Sequence, residues 1–176
     1  MNGAPPPFYD LDEDLLAAVR AGSPFAFRCY PCAITAVVLG RGSRIELEAD
    51  AAACRARGVP LLRRRGGGCA VLLDPGNVIA SSAFRQPGIG GVPAAFSRAL
   101  DWLLAGLAAM GLTGLSRQGI SDLARDGRKV AGTCLYRSKD LVYFSASLLV
   151  RPDLDLVEAC LDRKSTRLNS SHVSQS

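Results

Sequence analysis

RRRGGGCAVLLDPGN, residues 63–77, is the stretch of sequence that decides the fold. Three arginines precede three glycines, and an apolar run then leads into an Asp-Pro-Gly-Asn turn. Glycines let a backbone approach a ligand closely, and successive N–H groups in such a turn form a concave anion site. Arginine guanidinium groups match phosphate and carboxylate geometry. Taken alone, the segment fits a phosphate-binding loop and a glycine-rich hairpin with solvated arginines equally well.

The loop belongs to neither of the two common nucleotide motifs. The GxxxxGK[ST] pattern of a Walker loop is absent from the chain, and no G-x-G-x-x-G pattern precedes a helix here. If the loop binds phosphate, it must therefore do so in a way that differs from both of these motifs.

A second basic segment is DGRKVAGT, residues 126–133. Lys129 enters an apolar strand beside an arginine, where its compact ammonium group could meet a buried anion. Glycines on both sides leave room for a substrate. Exposed turn lysines are common, so this segment alone favours a solvated lysine.

Composition and charge restrict the class of protein. The chain has 176 residues, 48% of them hydrophobic and 21% charged, which is typical of one soluble globular domain. The net charge of +5 is concentrated in residues 63–65 and 125–129, and aromatics make up 6% without alternating with basic residues. This pattern disfavours nucleic-acid binding. Neither a transmembrane stretch nor a signal sequence is recognisable, so we expect a cytoplasmic protein without a membrane partner.

The six cysteines are expected to be reduced thiols. Cys29 and Cys32 form a CxxC pair, which could be redox-active or half of a zinc site. No second CxxC exists, and the single histidine, His172, lies in the polar C-terminal segment. We therefore expect no structural metal site.

Hydrophobic patterning predicts an α+β fold. The predicted helices cover 12–21, 47–57, 93–110 and 154–161, and the predicted strands cover 25–28, 34–39, 69–73, 78–84, 120–123, 130–136 and 141–150. Residues 124–129 are predicted as the turn of a hairpin. Strands and helices without strict alternation favour α+β over a doubly wound sheet.

The C-terminal segment differs in character from the rest. Residues 163–176 are rich in serine and almost devoid of apolar side chains, so they cannot bury a core. We predict one domain over residues 1–162, incomplete at its C-terminus, followed by a disordered, non-native tail over 163–176.

The ordered set of motifs resembles the biotin/lipoate protein ligase family. It comprises Arg64-Arg65-Gly-Gly-Gly, Ala70-Val71, Asp74, Gly76-Asn77, Asp122-Leu123 and Arg128-Lys129-Val130-Ala131-Gly-Thr. Within the family it is most similar to lipoate–protein ligases, with patterns RR-x-GGG-AV-x-HD-x-GN and K-[IV]-[SA]-G-[ST]. The resemblance runs from about Ile34 to Val150. Each motif is weak, whereas the ordered set is specific.

The resemblance implies a mixed, largely antiparallel sheet flanked by helices, like that of class II aminoacyl-tRNA synthetases and biotin ligases. It also implies ATP and Mg²⁺, with lipoate or octanoate as the acid that becomes acyl-AMP. The acceptor would be a lysine in the lipoyl-acceptor domain of a 2-oxoacid dehydrogenase or of a glycine-cleavage-type protein.

The resemblance further assigns roles to individual residues. Lys129 would hold the carboxylate and α-phosphate oxygens as the catalytic residue. Asp122 would lie near the metal or the adenine, and Asn77 would help to bind the phosphate. The substrate- and nucleotide-binding residues implied are Arg64, Arg65, Gly66, Gly67, Gly68, Cys69, Ala70, Asn77, Asp122, Ala131, Gly132 and Thr133.

Several positions depart from the family pattern. Cys69 replaces the last glycine of the loop, Leu73 replaces a histidine, and Ser121 replaces an asparagine. Phe144-Ser145-Ala146-Ser147 stands in place of H-G-[TS]-L. These changes favour a divergent paralogue.

The departures leave two alternatives to a ligase open. The first is an octanoyl or lipoyl transferase that uses a cysteine thioester. The cysteine position of such enzymes corresponds to Val142, which argues against it, although Cys134 and Cys69 remain possible nucleophiles. The second is a non-catalytic acyl-adenylate-binding protein.

Overall fold

The computed structural model describes residues 5–88 and 91–161. The predicted tail, residues 163–176, lies outside the described residues. The described residues form two compact units: unit 1 contains residues 5–10, 31–77 and 150–161, and unit 2 contains residues 11–30, 78–88 and 91–149. Each unit gathers segments that are distant in sequence.

The described residues contain five helices and nine strands. The helices are α1 (Glu13–Arg20), α2 (Ile45–Glu48), α3 (Ala51–Ala56), α4 (Val92–Ala109) and α5 (Leu154–Cys160). The strands are β1 (Phe25–Pro31), β2 (Ala36–Leu39), β3 (Leu61–Arg63), β4 (Val71–Leu73), β5 (Asn77–Arg85), β6 (Leu115–Gln118), β7 (Asp122–Arg125), β8 (Arg128–Ser138) and β9 (Leu141–Leu149).

Unit 1 is built on a three-stranded sheet in the order β3-β2-β4. Strand β2 pairs in parallel with β3 and antiparallel with β4. Every residue of β2 is buried, as its uninterrupted apolar sequence AVVL requires of a central strand. The core on one side combines Val37 and Leu39 with Cys54 of α3 and Cys160 of α5.

Unit 2 is built on a six-stranded sheet in the order β1-β5-β9-β8-β7-β6. Strands β6 to β9 form an antiparallel meander. Helix α4 covers one face, where Leu100, Leu103 and Leu107 pack in the same core as Leu135 and Phe144. Helix α1 packs on the other face through residues that include Leu16 and Val19.

The predicted fold class, α+β with a mixed and largely antiparallel sheet flanked by helices, is confirmed. The predicted helix over 47–57 is wrong in detail, since helices α2 and α3 replace it. Asp50 interrupts it because its carboxylate caps α3, accepting from the N–H groups of Ala52 and Ala53. The predicted turn over 124–129 shortens to Asp126 and Gly127, both at positive φ.

No helix within the described ranges is long and apolar enough to cross a membrane.

We predict strongly unequal reactivity among the cysteines. Burial raises the pKa of Cys54 to about 12, and Cys160 is buried beside it, whereas Cys29 and Cys69 are exposed. The thiolate is the reactive form. Iodoacetamide at pH 8 should therefore label Cys29 and Cys69 at least about tenfold faster than Cys54 and Cys160. Peptide mass spectrometry over time measures the rates. Equal labelling in the folded protein would contradict the packing of α3 and α5.

Candidate functional site

The glycine loop, residues 64–70, joins β3 to β4 in unit 1. These two strands flank β2, so the loop passes over the end of β2 where Gly40 follows it. A Cβ atom added to Gly40 would lie 1.8 Å from the carbonyl oxygen of Gly68. Gly40 is therefore required for the loop to pack here, because any side chain would displace it.

Arg64 holds the loop through its carbonyl groups. Its guanidinium donates to the carbonyl oxygens of Val38, Gly67 and Cys69, each at 2.8 Å. The Gly66 carbonyl accepts from the N–H of Arg41 at 2.9 Å. Arg64, which the motif predicts to line a ligand cleft, thus uses several of its N–H donors to hold the loop itself.

Arg63 and Ser43 fix the neighbouring turn. The Arg63 guanidinium donates to the carbonyl oxygens of Gly40, Arg41 and Ser43. The Ser43 hydroxyl lies 3.1 Å from the Gly68 carbonyl oxygen and 3.0 Å from a carboxylate oxygen of Glu48. These contacts bind the turn after β2 to the glycine loop.

Most N–H groups of the loop, unlike its carbonyls, have no hydrogen-bond partner in the described part of the chain. Ala70 donates its N–H to the Glu48 carboxylate at 2.5 Å. The N–H groups of Gly66, Gly67, Gly68 and Cys69 donate to no acceptor within residues 5–88 and 91–161. Four successive amides whose carbonyls face the protein have the chemistry to serve as the donor side of an anion site.

The side chains of two other predicted binding residues have partners elsewhere in unit 1. The Arg65 guanidinium lies 5.6 Å from the centre of the Phe8 ring, a cation–π contact. Asn77 is fully buried, and its amide donates to the carboxylate of Asp74 at 2.9 Å. Asp74 also accepts from the N–H of Asp153. Contact between Asn77 and a nucleotide therefore stays a prediction.

The Lys129 site, defined by Asp122, Lys129 and Gly132, lies in unit 2 on the β7–β8 hairpin. The register between these strands shifts at Leu123 and Ala124, which leaves Val130 as an extra residue in β8. In a regular strand Lys129 would lie on the same face as the buried Ala131. The bulge breaks this alternation. The Lys129 ammonium instead lies 3.4 Å from the position that a Cβ atom on Gly132 would occupy.

Asp122 pairs with the lysine. Its carboxylate oxygen lies 3.0 Å from Lys129 Nζ, and its side chain is 7% exposed against 36% for the lysine. Thr133 donates its N–H and its hydroxyl to the carbonyl oxygen of Ser121, at 2.8 and 2.7 Å. This double contact fixes the backbone next to Asp122, so an exposed lysine is held by a buried carboxylate.

The remaining predicted residues are placed as follows. Ala131 is buried in the core beneath α4, and Thr133 is buried against Ser121. Cys69 is exposed, and Cys134 is half-buried on β8 opposite Ser145 of β9. The structure thus brings Lys129, Gly132 and Asp122 together, and it separately gathers Arg64 with Gly66–Cys69.

Sequence reasoning missed Ser43, Glu48 and the direct pairing of Asp122 with Lys129. The pairing has a sequence signal, because a hairpin turn at Asp126-Gly127 places Asp122 near Gly132. Ser43 and Glu48 have none, since their contacts depend on how α2 packs beside the loop.

A sequence model of the family "Lipoyl protein ligase A/B catalytic domain" matches residues 7–176. The chain belongs to this family. It is 28% identical over 163 residues to a lipoate–protein ligase of Streptococcus pyogenes and 24% identical to lipoate–protein ligase 2 of Staphylococcus aureus. Each match covers 93% of this chain and 44% of the relative, so the chain spans less than half the length of these curated relatives.

Solved structures of the family share the fold. The crystal structure of lipoate–protein ligase A bound with ATP has a TM-score of 0.75 at 24% identity, covering 94% of this chain and 71% of that one. A lipoate–protein ligase structure from Thermoplasma acidophilum with bound lipoic acid has a TM-score of 0.74 at 23% identity, with the same coverages. These similarities establish the fold of a lipoyl protein ligase catalytic domain.

We predict that Gly40→Ala damages the anion site whereas Gly42→Ala does not. The Gly40 methyl group would collide with the Gly68 carbonyl, while Gly42 has no atom within 4 Å of its Cβ position. The first variant should lose about 1–3 kcal/mol of stability and at least about tenfold in affinity for inorganic pyrophosphate. Calorimetric titration and thermal unfolding measure the two effects. Wild-type pyrophosphate affinity in Gly40→Ala would refute this account of the loop.

Proposed function

We propose that the protein activates lipoate, or a related medium-chain acid, with ATP and transfers the acyl group to a protein lysine. In the first step a carboxylate oxygen attacks the α-phosphorus, which forms acyl-AMP and releases pyrophosphate. In the second step an acceptor lysine amine attacks the acyl carbon, which forms an amide and releases AMP. The observation that carries the proposal is the Lys129 ammonium held over Gly132 by Asp122 in a chain of this family.

Lys129 has the chemistry that both steps need. Negative charge develops on phosphate oxygens in the first step and on the acyl oxygen in the second. A positioned ammonium group stabilises this charge most where it is already fixed before reaction. Asp122 supplies that fixation, and the lack of a side chain on Gly132 leaves space for a carboxylate beside the ammonium.

The glycine loop is proposed to bind phosphate oxygens of ATP. Its four successive N–H groups, from Gly66 to Cys69, supply donors without a competing side chain at the first three positions. The related lipoate–protein ligase A was crystallised with ATP bound, which is consistent with this role. Arg64 would act by keeping the loop carbonyls turned away from the phosphates.

The Lys129 site fits Mg²⁺ only where substrate phosphates supply part of the coordination of the ion. Within the described part of the chain, no three His, Cys, Asp or Glu side chains lie close enough to form a metal site. Mg²⁺ commonly uses one or two carboxylates together with waters and substrate phosphates. Asp122 is the carboxylate that would hold it, and the bound ion would neutralise phosphate charge.

The proposed acceptor is the lipoyl domain of a 2-oxoacid dehydrogenase or of a glycine-cleavage-type protein, met in the cytoplasm. A structurally related archaeal protein is a bipartite lipoate protein ligase that was studied with its E2 lipoyl domain. That pairing supports an acceptor of this class.

A thioester-dependent acyl transferase is a second candidate function. Cys134 lies two residues along β8 from Gly132, and side chains two residues apart share a strand face about 7 Å from each other. The Cys134 thiolate would attack an acyl thioester, forming an acyl-cysteine and releasing the carrier thiol. An adduct of octanoyl mass on Cys134 after incubation with octanoyl carrier protein would favour this function. Its absence, with pyrophosphate release from ATP and a free acid, would exclude it.

We predict that Lys129→Met strongly slows adenylation while Lys139→Met leaves it unchanged. Both variants remove one lysine charge from the β7–β9 meander, but Lys139 lies in the turn that joins β8 to β9. Loss of a fixed cation from a developing phosphate charge should lower the rate about 100- to 1,000-fold. ATP-dependent pyrophosphate release with octanoate or lipoate measures it.

The outcomes separate the proposed functions. Equal rates in the two lysine variants would refute the role of Lys129. Wild-type protein that binds lipoyl-AMP tightly, yet releases no pyrophosphate and modifies no acceptor, would identify a non-catalytic binding protein instead.

A further inference from the structure

Residues 7–9 lie along the edge of β3 that does not pair with β2, and the proposed reaction does not use them. The N–H of Arg63 donates to the carbonyl oxygen of Pro7, and the N–H of Tyr9 donates to the carbonyl oxygen of Arg63, both at 2.9 Å. Phe8 and Arg63 are therefore paired in parallel. The segment thus extends the three-stranded sheet at the residue after which the glycine loop begins.

The Phe8 side chain is not part of the hydrophobic core. It is 62% exposed, and it belongs to none of the three core clusters that the described residues form. Its ring instead lies against Arg65, whose guanidinium carbon is 5.6 Å from the ring centre. A ring this exposed gains little from burial. Its contact with Arg65 is therefore the interaction through which Phe8 can contribute.

Arg65 differs from the two arginines before it. The guanidinium groups of Arg63 and Arg64 donate to backbone carbonyl oxygens of the loop and of the turn after β2. Arg65 directly precedes Gly66, the first of the four successive residues whose N–H groups have no acceptor in the described part of the chain. The ring of Phe8 attracts the charge of Arg65 and requires none of its five N–H donors.

Holding Arg65 in place has a consequence for anion binding. An arginine side chain has many rotamers, and the ordering of such a side chain during binding lowers the affinity. The ring of Phe8 restricts these rotamers before an anion arrives. The backbone pairing at Arg63 fixes Phe8 itself, so the restriction does not depend on a second flexible element.

We propose that Phe8 is a positioning residue that holds Arg65 ready for phosphate oxygens bound at the glycine loop. The inference rests on the proposed function, in which the N–H groups of this loop bind phosphates of ATP. Those N–H groups carry partial charges, and the Arg65 guanidinium adds a full positive charge next to them in the chain. Phe8 acts through Arg65 and does not contact the ligand.

The test is a double-mutant cycle on the affinity for inorganic pyrophosphate, measured by calorimetric titration of the wild type, Phe8→Ala, Arg65→Ala and the double variant. Phe8→Ala should weaken binding about three- to tenfold, the cost of ordering one long side chain. In the Arg65→Ala background the same change should alter the affinity less than about twofold. Equal effects of Phe8→Ala in the two backgrounds would overturn the proposal.

Three further variants separate the ring contact from packing and folding. Phe8→Trp keeps an aromatic face and should bind pyrophosphate within about twofold of the wild type. Phe8→Leu keeps apolar bulk without a ring and should bind as weakly as Phe8→Ala. Leu154→Ala removes an apolar side chain of similar exposure, 68%, from α5 and should leave binding unchanged. Wild-type affinity in Phe8→Leu would show that no ring is required and would refute the inference.

The kinetics of ATP-dependent pyrophosphate release with octanoate give a second readout. Phe8→Ala should raise KM for ATP about three- to tenfold and leave kcat and KM for octanoate within about twofold, because the interaction is made equally in the ground state and the transition state. A merely structural defect would instead lower the active fraction, and with it kcat, at unchanged KM. That result would contradict a positioning role.

Failure of the proposed function is distinguishable from failure of this inference. If pyrophosphate binds but no acid supports its release from ATP, the ligase function fails and the binding cycle alone decides the role of Phe8. If the wild type is active and the cycle shows no coupling, only the inference fails. A wild-type protein that binds no pyrophosphate would overturn the inference whatever the kinetics show.

Discussion

The contact between Arg64 and the backbone carbonyls of the glycine loop is the interaction on which the conformation of that loop depends. A peptide group has a donor end and an acceptor end, and a glycine-rich turn could present either to a ligand. Arg64, with Arg41 and Ser43, binds the carbonyl oxygens of residues 66–69 from the protein side. The N–H groups of residues 66–69 are then left without an acceptor in the described part of the chain. The arginine thus determines which end of these peptide groups is turned toward the protein.

The two glycines beside these sites differ in what a side chain would meet. A Cβ atom on Gly40 would collide with the carbonyl oxygen of Gly68, whereas one on Gly132 would lie in ordinary van der Waals contact with the Lys129 ammonium. Packing therefore requires a glycine at position 40 but not at position 132. The bulge at Val130 matters more for the second site, because it turns Lys129 away from the core face of β8.

Much of the fold is predictable from the sequence because it rests on local patterning. Helix α4 and strand β9 follow from apolar spacing and from a continuous apolar run, and both lie within two residues of their predicted bounds. Strand β6 is not predictable in this way, since LSRQ has no apolar alternation and only its pairing with β7 makes it a strand. The same limit applies to the site. The order of the motifs identifies Arg64 and Lys129 as candidate site residues. The partners of Arg64, however, are backbone carbonyl groups, which every residue has. Only the tertiary packing determines which of these carbonyls Arg64 contacts.

The departures from the family pattern acquire a physical meaning once their positions are known. Cys69 replaces a glycine, yet it does not adopt positive φ, and it holds the loop through its carbonyl, which accepts from Arg64. That change therefore leaves the backbone contacts of the loop intact. Phe144 fills the core against Phe96, on the face of the sheet that α4 covers. Ser145 lies on the opposite face of β9, where its Oγ atom lies 2.9 Å from that of Ser81 on β5. The departures thus differ in kind, since Phe144 fills the core, Cys69 contributes its backbone carbonyl, and Ser145 belongs to a polar contact between two strands.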